Sequence, residues 1–207
     1  MGHTQMPVAI GARLQSSRKI ITLGLKPNFN DYTPKERDLI LRAPKIYYPT
    51  AFYAGLFDVM GKSTFPSPHT YKFALDKINQ TAIFNMLGVP HPRTKVYYGK
   101  KQKQCIADDF GFPFMAKQAR GSSKGRHVFL VRNRDELDRY LALGGPAYIQ
   151  EYLPIEKDMR VVVIGKKIRL AYWRKALKGA FKTNLAQGGT IVLDPLPQKA
   201  LDLALQT

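Results

Sequence analysis

The stretch PFMAKQARGSSKGRHVFLV, residues 113–131, sets a lysine inside one short apolar run and follows it with a loop of glycine, serine and cations. Strand alternation puts Met115, Lys117 and Ala119 on one face. A lysine there either snorkels to the sheet edge or meets an anion. The backbone N–H groups of Gly121, Ser122, Ser123 and Gly125 can turn toward phosphate oxygens. A fixed ammonium under a flexible loop suits phosphate binding, and a plain Gly–Ser connection between strands accounts for the same residues.

Two further stretches carry chemistry. In AYIQEYLPIEKDMRVVVIG, Gln150–Leu153 reads as a strand running into a linker, whose alternating N–H and C=O groups can read an adenine edge. Asp158 could accept hydrogen bonds from a ribose. In so basic a chain, Glu151 and Asp158 also read as surface charges. In WRKALKGAFKTNLAQGG, the cations Arg174, Lys175, Lys178 and Lys182 surround a glycine-containing loop, with Asn184 and Gly188–Gly189 downstream. Cations converging with an amide suit a polyphosphate and the acyl phosphate made from it. Phe181 reads as a packing anchor.

The 207 residues carry 33 Lys+Arg against 15 Asp+Glu, a net charge of +18. That balance admits nucleic acid, an anionic substrate or an anionic membrane. No run of cations exceeds two, so the charge is diffuse. No apolar run is long enough to span a bilayer. The N-terminus lacks a signal-peptide pattern, and residues 1–17 read as a mobile lead-in. A single cysteine, Cys105, excludes an intrachain disulfide and reads as an idle thiol rather than a nucleophile. His3, His69, His91 and His127 show no metal-ligand spacing. A cytoplasmic location is the default expectation.

The elements expected to position these residues alternate. Arg18–Leu25 reads as a strand. Thr33, Pro34 and Glu36 then give N-cap, first position and capping box of a helix. KIYYP reads as a strand, TAFYAGLFDVMG as a helix closed by Gly61, and STFPSPHTY as a Pro-rich connection. This predicts a small parallel α/β layer over 18–71. From residue 72, a helix stopped by Gly88 leads into short strands, a helix capped by Asn133, and a hairpin turning at Gly165–Lys166. A short strand, TIVL, and a final helix follow. The fold class is α/β, with a second domain over 72–207.

Taken in order, DKINQTAIFNMLGVPHPRT, GFPFMAKQARGSSKGRHVFLV, YIQEYLPIEKDMRVVVIG and RKALKGAFKTNLAQGG resemble the ATP-grasp superfamily, and within it the RimK-like ligases that modify a ribosomal protein C-terminus. The resemblance covers Asp76 to about Gly189. It implies an ATP-grasp fold behind a short N-terminal α/β region, with ATP and Mg2+ as cofactors. Lys77 and Lys117 would be the ATP-phosphate lysines, and Gly121–Gly125 the lid. Glu151 with the Tyr152 and Leu153 backbone would read adenine, and Asp158 would contact ribose. Arg160 would lie near the substrate, and Arg174, Lys182 and Asn184 would face the phosphates and acyl intermediate.

The resemblance also implies a reaction, ATP-dependent ligation of a carboxylate to an amine, with small-molecule or peptide partners for which the abundant cations suggest acidic chemistry. The family's metal ligands, an Asp and then a Glu-x-Asn, have no counterpart after Gly189, as though the chain stops about one helix and two strands short. Two other readings stand beside this one. One is an inactive nucleotide-binding relative. The other is a basic nucleic-acid binder with Tyr47, Tyr48, Tyr97 and Tyr98 for stacking, against which no nucleic-acid motif appears.

Overall fold

The structure is a computed structural model describing residues 5–122, 126–177, 179 and 183–206. It divides into two compact units, Met1–Ala74 and Leu75–Thr207.

The first unit begins earlier than the sequence suggests. Strand β1 (Val8–Ala9) lies between β2 (Ile21–Thr22) and β3 (Ile46–Tyr47), with β4 (Thr64–Phe65) outside β3, all parallel. Val8, Ala9 and Ile10 are fully buried. The expected lead-in therefore supplies a central strand. A two-residue strand has no visible period, which is why it reads as unstructured. Helix α1 (Pro34–Arg42) starts as the residues dictate: the Glu36 N–H donates to Thr33 Oγ1, and Glu36 Oε2 accepts from the Thr33 N–H at 2.7 Å. Helix α2 (Ala51–Val59) brings Tyr53 and Phe57 to a core of Val8, Ile10, Ile40 and Ile46. Buried Tyr32 and Tyr53 satisfy their hydroxyls by donating to the Gly24 and Lys26 carbonyls. The Pro-rich connection is itself structured, holding β4 and helix α3 (Pro68–Ala74).

In the second unit, the helix expected from residue 72 starts at α4 (Lys77–Leu87), because the Asp76 carboxylate caps it by accepting from the Asn79 N–H. Gly88, left-handed at φ 65°, stops it. Next come β5 (Thr94–Tyr97), the short helices α5 (Gly99–Lys103) and α6 (Ile106–Phe110), and β6 (Phe114–Gln118). Then follow β7 (Val128–Val131), α7 (Arg134–Leu141) and β8 (Ala147–Glu151). The strands form one antiparallel sheet in the order β5-β8-β6-β7. Alternation splits its faces. Phe114, Ala116, Val131 and Ile149 pack with Ile106, Leu137 and Tyr140 in the core. Thr94, Met115, Lys117, Tyr148 and Gln150 share the other face, as their register shows.

The last sheet orders β11 (Thr190–Val192), β10 (Lys167–Lys175) and β9 (Lys157–Ile164), with α8 (Gln198–Gln206) packed on β9 and β10. The β9–β10 hairpin turns at Gly165–Lys166 as expected, starting with Ile164 across from Lys167. A bulge between Ile168 and Leu170 then shifts the register by one, so that Asp158 faces Arg174.

Candidate functional site

Two backbone hydrogen bonds bring the expected phosphate lysines together. Lys77 N–H donates to the Ala119 carbonyl, and Gly121 N–H donates to the Leu75 carbonyl, each at 2.9 Å. This bridge between Asp76 and Arg120 ties the start of α4 to the end of β6. Arg120 Nε donates to Asp76 Oδ2 at 2.8 Å, so the carboxylate next to Lys77 is already engaged. Gly121 sits at φ 70°, a conformation that suits glycine.

The two ammonium groups find neutral partners. Lys77 Nζ donates to Ser122 Oγ at 2.8 Å and to the Gln118 carbonyl at 3.0 Å. Lys117 Nζ donates to Gln150 Oε1. Among the described residues, neither lysine forms an ion pair with a carboxylate. Burial pushes the Lys117 ammonium down to about 8, and the charge of Lys77 pushes it further the same way. Burial also lowers Lys77, with Asp76 opposing. Two half-buried ammonium groups thus stand near one another with hydrogen bonds to neutral acceptors.

Residues that sequence reasoning missed hold this arrangement. The buried Tyr140 hydroxyl donates to the Lys117 carbonyl at 2.8 Å and accepts from the Tyr148 N–H at 3.0 Å. Burial pushes the Tyr140 phenol up to about 12. Thr81, one helical turn from Lys77, meets the Tyr148 hydroxyl at 2.7 Å and fixes α4 over the sheet. The i, i+4 spacing of Lys77 and Thr81 was visible in the sequence, but their partners, Ser122 and Tyr148, were not.

Glu151 serves the strand. Its Oε1 accepts from the Arg93 N–H at 2.7 Å while its own N–H donates to the Arg93 carbonyl. The expected adenine-reading backbone, Tyr152 and Leu153, lies just past the strand end, in the linker toward β9. A groove of about 560 Å³ opens beside that linker, lined by Tyr152, Pro154, Ile155 and Leu177 among others.

Asp158 and Arg174, given separate roles from the sequence, are bound to each other. Arg174 Nε and Nη2 donate to Asp158 Oδ1 and Oδ2 at 2.8 and 2.7 Å. Thr183, 6% exposed, adds its hydroxyl to Oδ2 at 2.8 Å. Arg160 lies on the same face of β9 as Asp158, exposed and across from Tyr172. Asn184 is half-buried and precedes a short helical turn without capping it through its side chain. The Gly188–Gly189 pair closes that turn. A Cβ on Gly189 would stand 2.1 Å from the Thr183 carbonyl oxygen, so only glycine fits. Ser123, Gly125, Lys178, Phe181 and Lys182 lie outside the described residues.

Among the described residues no group of three or more His, Cys, Asp or Glu is placed to hold a metal ion. No helix among them is long and apolar enough to cross a membrane.

Residues 74–207 match a family model described as a RimK-like ATP-grasp domain. The chain is 32% identical over 127 residues to the β-citrylglutamate synthase B of Danio rerio, covering 58% of this chain and 31% of that protein. It is 25% identical over 174 residues to the ribosomal protein bS6–L-glutamate ligase of Escherichia fergusonii, covering 79% of this chain and 58% of that one. The RimK domain ATP-grasp protein of Sphaerobacter thermophilus superimposes with a TM-score of 0.67 at 16% identity, over 97% of this chain and 79% of that one, a likeness of fold. The chain spans about a third of the length of the first curated relatives it matches.

Proposed function

The chain belongs to the RimK-like ATP-grasp family, and on that premise we propose that it serves as an ATP-dependent carboxylate–amine ligase working through an acyl phosphate. One observation carries the reading: Lys77 and Lys117 bring two ammonium groups to one sheet face, each hydrogen-bonded to neutral acceptors.

In this reading the lysines neutralise the polyphosphate and hold it in place, Ser122 stands beside them with its hydroxyl on Lys77, and the Tyr152–Leu153 backbone reads the adenine edge. The γ-phosphoryl group passes to the substrate carboxylate, with ADP leaving. The amine then attacks the acyl carbon and expels phosphate, forming the amide. Such chemistry depends on positioning and on charge stabilisation rather than on a protein nucleophile. Asn184 and the exposed Arg160 are the residues proposed to meet the substrate. Arg174 acts first through its grip on Asp158, and Lys182 completes the proposed cationic set. The described residues offer no group of three or more His, Cys, Asp or Glu to hold a magnesium ion. The net charge of +18 favours acidic substrates, a free amino acid such as glutamate or an acidic peptide. The named relatives are a synthase and a ligase, which favours this reading over an inactive relative or a nucleic-acid binder.

The test is calorimetric titration of ATP and ADP, with and without magnesium, into the wild-type chain and Lys117→Ala. Saturable binding that the substitution weakens at least tenfold is expected. A folded chain that takes up oligonucleotide but not ATP would overturn the proposal.

A further inference from the structure

We infer that Gln150 is a positioning residue for Lys117 and that Thr94 anchors it, an inference that rests on the ATP reading above. Three strands contribute. Thr94 on β5, Gln150 on β8 and Met115 on β6 are register partners, and Lys117 lies two residues along from Met115 on the same face. Lys117 Nζ donates to Gln150 Oε1. Gln150 Nε2 donates to Thr94 Oγ1 at 2.8 Å, and Thr94 Oγ1 donates to the Pro92 carbonyl at 2.7 Å.

The direction of this chain follows from its far end. The Pro92 carbonyl can only accept, so it takes the single hydroxyl hydrogen of Thr94. Thr94 Oγ1 is then left with lone pairs toward Gln150, and only the amide nitrogen can meet them. The amide is therefore oriented by its neighbours, with its carbonyl oxygen turned to the Lys117 ammonium. A swapped amide would set donor against donor at Lys117.

The choice of an amide has an electrostatic consequence. A carboxylate at position 150 would hold the ammonium equally well but would cancel its charge before any phosphate arrived. An aliphatic side chain would leave the long lysine free among its rotamers. Glutamine fixes the position and keeps the charge available. Its contribution passes through Lys117, whose ammonium it holds.

The experiment is ATP titration across pH 6.5 to 9.5 with wild-type chain, Lys117→Ala, Gln150→Met, Gln150→Glu, Thr94→Val and Thr94→Ser, each checked for folding by circular dichroism. Gln150→Met is expected to weaken ATP binding about tenfold and Thr94→Val about threefold, the scale of one charged and one neutral hydrogen bond. Thr94→Ser, which keeps the hydroxyl, restores the wild-type value. Gln150→Glu weakens binding at pH 7 and moves the alkaline fall in affinity to higher pH, a shift that a merely structural role would not produce. If Lys117→Ala loses binding while Gln150→Met, Gln150→Glu and Thr94→Val keep the wild-type affinity and pH midpoint, the positioning role is wrong and the ATP reading stands. If the wild-type chain does not bind ATP, or Lys117→Ala binds equally well, both fall together.

Discussion

The Asp158 carboxylate grips the Arg174 guanidinium through both oxygens, at 2.8 and 2.7 Å, directly across the β9–β10 hairpin. The fork geometry is the strong form of this contact. The pair is only partly exposed, with side chains at 12% and 30% for Arg174 and Asp158. Thr183 joins it through its hydroxyl on the same Oδ2, so three residues apart in sequence act as one clamp beside Asn184.

Asp158→Ala is expected to remove the clamp and cost about 1–3 kcal/mol, the scale of a lost charged hydrogen bond with its partner left unpaired. Urea unfolding would show a lower midpoint with unchanged slope. Thr183→Val should cost less, about 1 kcal/mol. An Asp158→Ala chain as stable as wild type would mean that the clamp contributes nothing.

Gly189→Ala tests the same loop by crowding it. The added methyl would meet the Thr183 carbonyl at 2.1 Å, so the turn must move. A loss of roughly 1–3 kcal/mol is expected from overpacking of this kind, together with chemical-shift changes at Thr183 and Asn184. An alanine chain with an unaltered spectrum there would contradict the geometry.

Lys117 gives stability a pH signature. Its pKa, pushed down to about 8 by burial and then by Lys77, lies below the ordinary 10.5. Between those values the unfolded chain binds more protons than the folded one, so this group makes stability rise with pH across that window. Below about 8 the penalty of burying the charge is fully present. Above 10.5 both states are neutral and it is gone. Urea midpoints measured from pH 8 to 10 should climb more steeply for wild type than for Lys117→Met; parallel curves would refute the assignment.

Nucleotide affinity should run the opposite way. A bound polyphosphate favours the ammonium form, so ATP binding is expected to weaken as pH rises through about 8. Lys77→Met removes a neighbouring cation and should carry that fall to higher pH while weakening binding throughout. A pH-independent affinity in wild type would separate Lys117 from the phosphates.

The core of the second unit makes the plainest forecast. Phe114 and Leu137 are fully buried on the face away from the lysines. Truncating either to alanine should cost about 2–5 kcal/mol, read as a lowered thermal midpoint. Leu143, 61% exposed, should tolerate alanine with little change.

Local signals were legible in the sequence where one residue's chemistry decides the outcome. The Thr33–Glu36 capping box, the Gly88 stop, the Asn133 cap and the Gly165–Lys166 turn all appear where their residue types imply. Strand β1 was hidden because two residues cannot display a period, and β4 with α3 because prolines masked them. At the site, Lys117 announced itself by standing in an apolar strand beside glycines. Gln150, Thr94, Tyr140 and Thr183 did not, since each matters only through a partner that the fold brings from far along the chain. The pairing of Asp158 with Arg174 was hidden for a further reason: the bulge moves the register by one, and no residue type near it demands that.

That bulge has a consequence in chain length. Counted back from the Gly165–Lys166 turn without it, Asp158 would stand opposite Trp173, and the cation would point to the other face. Strand β10 thus carries one residue more than a regular hairpin needs. Deleting Arg169 would absorb the bulge and leave Asp158 across from Arg174, whereas an insertion there without a second bulge would bring Trp173 to that position. Along this hairpin the protein can lose a residue more safely than it can gain one.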